Sequence, residues 1–117
     1  MKTYEQMLAE SKSRIREITA KDAMALKKSA PATVFLDVRD PNEFNLGKIE
    51  GAVTISRGNL EKNVEPQVPR DKSVVVYCAN GNRSAFAAET LAAMGYGDVQ
   101  SMKGGFKEWV AEGGDVE

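Results

Sequence analysis

Short apolar runs alternate with segments of helical periodicity along this chain, and that alternation limits the folds it can adopt. Four apolar runs are candidate strands: residues 34–36, 52–55, 74–77 and 99–102. Helical spacing of apolar residues covers residues 3–14, 20–29 and 84–94, and a last helix carries Phe106 and Trp109. Strands that alternate with helices favour a mostly parallel sheet covered by helices on both faces. The sequence therefore predicts an α/β fold.

The predicted boundaries depend on residues that begin or stop helices. Thr19 is a predicted N-cap for helix 20–29, and Pro31 marks the break after it. Gly95 and Gly113 are predicted to end the last two helices. A chain of 117 residues, 42% of them hydrophobic, suits one domain and can bury a core without disulfides or metals.

The charge balance excludes several classes of partner. Lys and Arg together number 16 against 17 Asp and Glu, so the net charge is -1. Nucleic-acid and membrane surfaces both favour a basic excess, and the apolar stretches are far too short to span a bilayer. The polar N-terminal sequence MKTYEQMLAESKSR lacks the apolar core of a signal peptide. We therefore expect a cytoplasmic protein that binds neither nucleic acid nor a membrane.

The counts of cysteine and histidine limit the chemistry further. The chain has one cysteine, Cys78, and no histidine. One cysteine excludes an internal disulfide, a CxxC redox pair and a cysteine-rich zinc site. The lack of histidine excludes Ser-His-Asp triads, Cys-His dyads and His-ligated metals within one chain. We therefore expect no metal and no cofactor, and a nucleophile in this chain must be activated without histidine.

Cys78 follows the clearest predicted strand, Val74–Tyr77, which has three β-branched valines and a tyrosine, and it precedes a predicted helix. In open α/β sheets, ligands bind beyond the carboxyl ends of the strands, where Cys78 would lie. The loop between strand and helix is small and polar: Ala79, Asn80, Gly81 and Asn82. Its backbone N–H groups, the start of the next helix and Arg83 together predict an anion cradle around the thiol. Such a cradle favours the nucleophilic thiolate.

A second interpretation of Cys78 comes from the same pattern. A lone cysteine at the end of an apolar strand is often a small buried hydrophobic residue with no chemical role. Strand–loop–helix units are common, and the residues alone leave the structural and the functional interpretations about equally supported.

Three segments resemble the motifs of one family, the rhodaneses, and they occur in the family's order. Residues 78–83, CANGNR, resemble the six-residue Cys-x-x-Gly-x-Arg active-site loop. Residues 36–44 and 47–52, LDVRDPNEF and GKIEGA, are similar to the signature around Asp-Val-Arg, Glu-Phe/Tyr and Gly-His-Ile-Pro-Gly-Ala. Residues 104–109, GGFKEW, are similar to the C-terminal Gly-Gly-Phe-x-x-Trp motif. The chain is therefore identified as a single-domain member of the rhodanese family.

The resemblance implies a three-layer rhodanese-like fold with a central, mostly parallel, five-stranded sheet. We expect a helical extension over residues 1–15 and the rhodanese domain over residues 16–117. The implied activity is sulfur transfer: Cys78 takes a sulfur atom from a thiosulfate-like sulfane donor as a persulfide. It then passes the sulfur to cyanide or to a thiol, a protein thiol included. The alternative is a non-catalytic or regulatory module that binds a partner or senses oxidants.

Two departures from the family pattern affect these expectations. Lys48 stands where the family usually has His, and Glu50 where it usually has Pro. Ala79 and Asn82 occupy loop positions where thiosulfate-preferring members often carry an extra basic residue, which weakens thiosulfate as the natural donor. Related dual-specificity phosphatases and arsenate reductases have a loop one residue longer, so the short loop here disfavours phosphate chemistry.

Arg83 and Ser84 complete the predicted substrate-binding loop. The guanidinium of Arg83 is expected to bind the sulfur donor and to support the thiolate, because it can form two parallel hydrogen bonds to an oxyanion. The alternatives are that Arg83 braces the loop from outside or points to solvent. Ser84 is expected to cap the helix, to face the sulfur with its hydroxyl, or both.

Asp37 and Arg57 are candidate supporting residues. Asp37 either hydrogen-bonds the active-site side of the fold or forms an ordinary turn. Arg57 follows a predicted strand end and could face the rim that holds Cys78, although a solvated surface position is favoured. Arg39 and Glu43, four residues apart, are predicted to form an ion pair that holds a helical turn.

Overall fold

The computed structural model describes residues 1–117 as a sheet of five strands with six helices. The strands are β1 (Arg16–Thr19), β2 (Val34–Asp37), β3 (Val53–Thr54), β4 (Val74–Tyr77) and β5 (Val99–Lys103). The helices are α1 (Tyr4–Arg14), α2 (Ala20–Ser29), α3 (Pro41–Phe44), α4 (Leu60–Gln67), α5 (Asn82–Ala93) and α6 (Gly105–Ala111). A short 3-10 turn over Arg57–Asn59 precedes α4.

All neighbouring strands are parallel, and their spatial order is β1-β5-β4-β2-β3. Val74 of β4 is in register with Val34 of β2 on one side and with Val99 of β5 on the other. The predicted five-stranded, mostly parallel α/β fold is therefore confirmed. The central position of β4 explains why it is the most apolar strand, since its neighbours and both helical layers cover it.

Two buried clusters lie on the two faces of the sheet. Along β4, Val74, Val76 and then Cys78 belong to one cluster, while Val75 and Tyr77 belong to the other. This alternation is the period of two that a strand imposes on its side chains. The first cluster includes residues of α4 and α5, and the second includes residues of α2 and α6. Cys78 therefore belongs to the face covered by α4 and α5.

The structure corrects several predicted boundaries. Arg16–Thr19 is a strand that the sequence pattern did not reveal, because β1 pairs only with β5 and most of its side chains are exposed. The predicted strand 52–55 is shortened to Val53–Thr54. Helix α4 was not predicted, since it shows only two buried positions, Leu60 and Val64, and contains a proline. The Thr19 N-cap is confirmed, because its hydroxyl accepts a hydrogen bond from the Asp22 N–H.

Helix α1 packs against α5, the helix that follows Cys78. The ring centroids of Tyr4 and Phe86 lie 6.2 Å apart, and the buried hydroxyl of Ser11 donates to the Ala85 carbonyl at 3.2 Å. The separation of residues 1–15 from the domain that follows stays a prediction. None of the helices has the length and apolar content needed to cross a membrane.

Candidate active site

Cys78 lies at the carboxyl end of β4, where the chain turns into α5. Its residue is 0% exposed, and none of the surface cavities is lined by it. The thiol is therefore enclosed by its neighbours in this structure.

The loop curls around the sulfur and points polar groups at it. The backbone N–H groups of Gly81 and Ser84 donate to Cys78 Sγ at 3.2 and 3.3 Å. Ser84 Oγ lies 3.5 Å from Sγ, and Asn80 Oδ1 lies 3.9 Å from it. The two N–H groups favour a negative charge on sulfur, whereas the Ser84 and Asn80 oxygens are acceptors for the proton of the neutral thiol.

Gly81 makes this curl possible. It has φ +96°, in the left-handed region that glycine adopts without strain. A Cβ at this position would lie 3.1 Å from the Gly104 nitrogen and 3.3 Å from the Met102 carbonyl oxygen. The loop therefore needs glycine here both for its conformation and for its close packing against β5 and the turn that follows.

The start of α6 holds the loop from the other side. The N–H of Phe106 donates to the Cys78 carbonyl at 2.7 Å, and the N–H of Lys107 donates to the Ala79 carbonyl at 3.2 Å. Gly105 fits because a Cβ there would lie 2.4 Å from the Cys78 carbonyl oxygen. The Gly-Gly pair in the sequence is the signal of this close approach, and the predicted C-terminal motif thus lies directly beneath the loop.

Arg83 forms an ion pair with Glu43. Arg83 Nη1 and Nη2 donate to Glu43 Oε1 and Oε2 at 2.7 and 3.0 Å, and Asp40 Oδ2 lies 3.9 Å from Nη1. Hydrogen bonding to Arg83 is the main reason that the pKa of Glu43 is lowered to about 2, and the same bonds raise the pKa of Arg83. Arg83 makes no hydrogen bond to the sulfur, so the contacts match a brace from outside the loop. Donor binding is the other role considered for Arg83, and no contact in the structure tests it.

The predicted ion pair between Arg39 and Glu43 is wrong. Arg39 Nη2 instead donates to Asp37 Oδ2 at 2.7 Å and to the Gly47 carbonyl at 2.6 Å. Asp37 and Arg39 are 0% and 5% exposed. Burial by itself lowers the pKa of Arg39, but the hydrogen bonds and the charge of Asp37 together outweigh it, so the pKa is raised. Sequence spacing could not identify these partners, because the loop after β2 turns Glu43 toward α5 instead.

Asp37 forms the local turn that was one of the two roles considered for it. Its carboxylate accepts the Arg39 backbone N–H at 3.0 Å, which is a local turn. The paired Arg39 guanidinium lies 4.2 Å from the ring centroid of Phe106, the residue whose N–H binds the Cys78 carbonyl. Contacts thus connect Asp37 with the Cys78 carbonyl through Arg39 and Phe106, and a supporting role of Asp37 in the site stays a prediction.

A family comparison agrees with this geometry. The sequence profile described as "Rhodanese-like domain" matches residues 19–112. The chain belongs to the rhodanese-like domain family. The matched residues include β2, β4, the Cys78 loop and all of α6, which are the parts that build the site.

Curated relatives carry the name thiosulfate sulfurtransferase. The protein GlpE of Shewanella oneidensis is 39% identical over 80 residues, which cover 68% of this chain and 78% of that protein. GlpE of Tolumonas auensis is 33% identical over 97 residues, covering 83% of this chain and 90% of that protein. An uncharacterized Bacillus subtilis protein, YqhL, is 43% identical over 74 residues, and the match spans only 58% of its length. These relatives support a rhodanese-type sulfurtransferase.

Solved structures show the same rhodanese fold. A protein of unknown function from Rhodopseudomonas palustris, described as a "Possible Tyrosine Phosphatase", is 42% identical with a TM-score of 0.90. The alignment covers 100% of this chain and 96% of that one. The rhodanese-like domain of an Anabaena protein has a TM-score of 0.81 at 28% identity, covering 86% of this chain and 77% of that one.

Arg57 does not join this rhodanese site. Its guanidinium donates to Glu61 Oε1 and to Thr90 Oγ1, both at 3.0 Å, and so links the turn before α4 to the C-terminal half of α5. Ser84 is not the N-cap of α5. Gly81 is the N-cap of α5, and Ser84, fully buried, turns its N–H and hydroxyl toward the sulfur.

Proposed function

We propose that this chain is a sulfurtransferase that forms a persulfide on Cys78 and passes the sulfur to a thiophilic acceptor. The observation that carries the proposal is the pair of N–H groups, from Gly81 and Ser84, that donate to Cys78 Sγ. A buried cysteine with no chemical role needs no such donors, whereas a thiolate or a persulfide anion is stabilised by them.

The first half of the proposed reaction loads the sulfur. The Cys78 thiolate attacks the sulfane sulfur of the donor, and a new S–S bond forms. The bond from that sulfur to the rest of the donor breaks at the same time, and its electron pair leaves with the departing group. With thiosulfate as donor the departing group is sulfite. No oxidant or reductant is consumed, because the sulfane sulfur keeps its oxidation level as it passes from the donor to Cys78.

The second half of the proposed reaction transfers the sulfur from the Cys78 persulfide to the acceptor. The carbon of cyanide, or the sulfur of a thiolate, attacks the terminal sulfur of the Cys78 persulfide. The S–S bond to Cys78 breaks, and the products are thiocyanate or a new persulfide together with the regenerated Cys78 thiolate. Small-molecule donors and acceptors suffice for this cycle, and a protein thiol is an equally suitable acceptor. We place this cycle in the cytoplasm, and cell fractionation with detection of the protein tests that location.

Intact mass spectrometry tests the proposal. The chain is incubated with thiosulfate, and separately with an organic persulfide, and its mass is measured under non-reducing conditions. We expect an increase by the mass of one sulfur atom, its loss after addition of cyanide, and no increase in the Cys78→Ser variant. If neither donor adds sulfur to a folded chain, the sulfurtransferase proposal fails and the non-catalytic binding module becomes the better interpretation.

A further inference from the structure

A second buried hydroxyl lies behind the one that faces the sulfur. Ser84 Oγ is 2.8 Å from Ser101 Oγ and 3.5 Å from Cys78 Sγ, so the three side chains form a short line. Ser84, Ser101 and Cys78 are each 0% exposed. Ser101 lies on β5, next to β4, and neither the sequence motifs nor the proposed reaction gives it a role.

Only one arrangement of the two hydroxyl protons gives each of them an acceptor. The only hydrogen-bond partner of Ser101 Oγ is Ser84 Oγ, and the only partners of Ser84 Oγ are Ser101 Oγ and the sulfur. If Ser84 donated to Ser101, the Ser101 proton would have no acceptor in a buried site, which is costly. If Ser101 donates to Ser84, the Ser84 proton points to the sulfur and both protons are bonded.

The hydrogen bonds available to the charged thiolate differ from those available to the neutral thiol. A thiolate accepts from the Gly81 N–H and the Ser84 N–H, and it gains a third bond when the Ser84 hydroxyl, 3.5 Å away, turns its proton to the sulfur. In the neutral thiol this contact runs the other way, from Cys78 Sγ to Ser84 Oγ. A thiol that donates to Ser84 Oγ reverses the line of hydroxyls and leaves the Ser101 proton without an acceptor. Its remaining acceptor is Asn80 Oδ1 at 3.9 Å, which is a long contact even for sulfur.

We infer that Ser101 is a positioning residue that directs the hydroxyl proton of Ser84 onto the Cys78 sulfur and so favours the thiolate. Without the Ser101 hydroxyl, Ser84 loses the donor that orients it, and its own proton is free to turn toward a backbone carbonyl of the first helical turn. Donation from Ser101 also polarises the Ser84 hydroxyl, which strengthens its bond to a negative sulfur.

Other ionisable groups lie around the loop, and among them Arg83 interacts electrostatically with Cys78. They are Arg83 with Glu43 and Asp40, the buried Asp37–Arg39 pair, Tyr77, Lys103 and Lys107. None of them contacts either hydroxyl. Variants confined to Ser84 and Ser101 leave these charged groups unchanged. Differences in thiolate formation between those variants therefore report on the two hydroxyls.

The test measures the pH midpoint of thiolate formation from the ultraviolet absorbance of the thiolate. Cys78 is the only thiol, and the absorbance of each variant is corrected with the same variant carrying Cys78→Ser. This measurement needs neither sulfur transfer nor entry of a reagent into the buried site. We expect Ser84→Ala to raise the midpoint by about one to two pH units, and Ser101→Ala to raise it by about 0.3 to 1 unit.

The double variant decides whether Ser101 acts through Ser84. We expect Ser84→Ala with Ser101→Ala to shift the midpoint no further than Ser84→Ala alone. The control is Ser11→Ala, which removes another buried hydroxyl that donates to α5, at Ala85, away from the sulfur. It should lower the melting temperature about as much as Ser101→Ala without moving the midpoint. An unmoved midpoint in Ser101→Ala, or additive shifts in the double variant, would overturn the inference.

A second variant covers the case in which Ser101→Ala does not fold. Ser101→Thr keeps the hydroxyl on a strand that favours β-branched residues, and its midpoint should stay within about 0.3 units of the unmodified chain. A folded Thr variant with a midpoint raised as far as that of Ser84→Ala would contradict the role of the hydroxyl.

The role of Ser101 in catalysis, unlike its role at the sulfur, rests on the proposed function. Sulfur transfer measured against pH should show the acidic limb of kcat/KM moving upward in Ser101→Ala by the same amount as the absorbance midpoint. If the unmodified chain transfers no sulfur while the absorbance shifts appear as expected, the proposed function fails and the inference about Ser101 stands.

Discussion

Removing the ion pair between Glu43 and Arg83 should destabilise the Cys78 loop more than it weakens donor binding. The pKa of Glu43 falls from an ordinary 4.5 to about 2, chiefly through hydrogen bonds from Arg83. An ion pair wholly shielded from water, with that difference in pKa between the unfolded and folded states, would contribute roughly 3 kcal/mol to the free energy of unfolding. The side chains of Arg83 and Glu43 are 37% and 29% exposed, so screening by water reduces the contribution to about 1–2 kcal/mol. For a chain of this size that corresponds to a melting temperature lower by roughly 4–10 °C.

The same pair predicts a pH dependence of stability. Because the pKa of Glu43 is lower in the folded state, its contribution is complete above the unfolded value of about 4.5 and is lost as pH falls toward 2. Glu43→Gln removes this contribution at every pH. The difference in unfolding free energy between the unmodified chain and Glu43→Gln should therefore be largest at neutral pH and shrink below about pH 4.5.

A double-mutant cycle measures the pair directly. Urea unfolding of Glu43→Gln, Arg83→Ala and their combination should give a coupling of about 1–2 kcal/mol. The control cycle uses Arg14 and Glu89, an exposed pair on α1 and α5 with an N–O distance of 3.1 Å, whose coupling should be close to zero. KM for thiosulfate should change little in Arg83→Ala. A large rise in KM that Arg83→Lys recovers only in part, with unchanged stability, would refute the bracing role and restore Arg83 as the donor ligand.

Three further predictions follow from the loop. Cys78→Ser should abolish sulfur transfer and keep the fold, and wild-type turnover with thiosulfate and cyanide in that variant would show another nucleophile. Hydrolysis of an aryl phosphate should be absent or trivial, because only four residues separate Cys78 from Arg83; efficient hydrolysis that depends on Cys78 would contradict the loop-length argument. Gly81→Ala should destabilise the chain by about 1–3 kcal/mol in urea unfolding, because of its φ of +96° and the backbone 3.1 Å from the added Cβ. Gly97→Ala, with open space around it, is the matched control and should cost far less.

Local sequence determined the elements that carry the nucleophile. The run Val74–Tyr77, three β-branched valines followed by a tyrosine, strongly favours a buried strand, and the small polar residues after Cys78 permit a tight turn into a helix. A clear hydrophobic period and clear turn-forming residues allow such elements to be predicted without a structure. Edge strand β1 and helix α4 were missed for the opposite reason, since the burial that defines them comes from the neighbours they pack against.

Tertiary structure alone decided which polar groups meet at the site. Spacing of four residues suggested that Glu43 pairs with Arg39, yet Glu43 reaches Arg83, which lies 40 residues further along the chain. Ser101 carries no motif, and it reaches Ser84 only because β5 pairs with β4 and α5 packs over both. Helical and strand periods act over a few residues, whereas parallel strands bring the ends of distant segments to one edge. The sequence could therefore identify Cys78 and its loop, but the partners that orient the loop follow from the order of the strands.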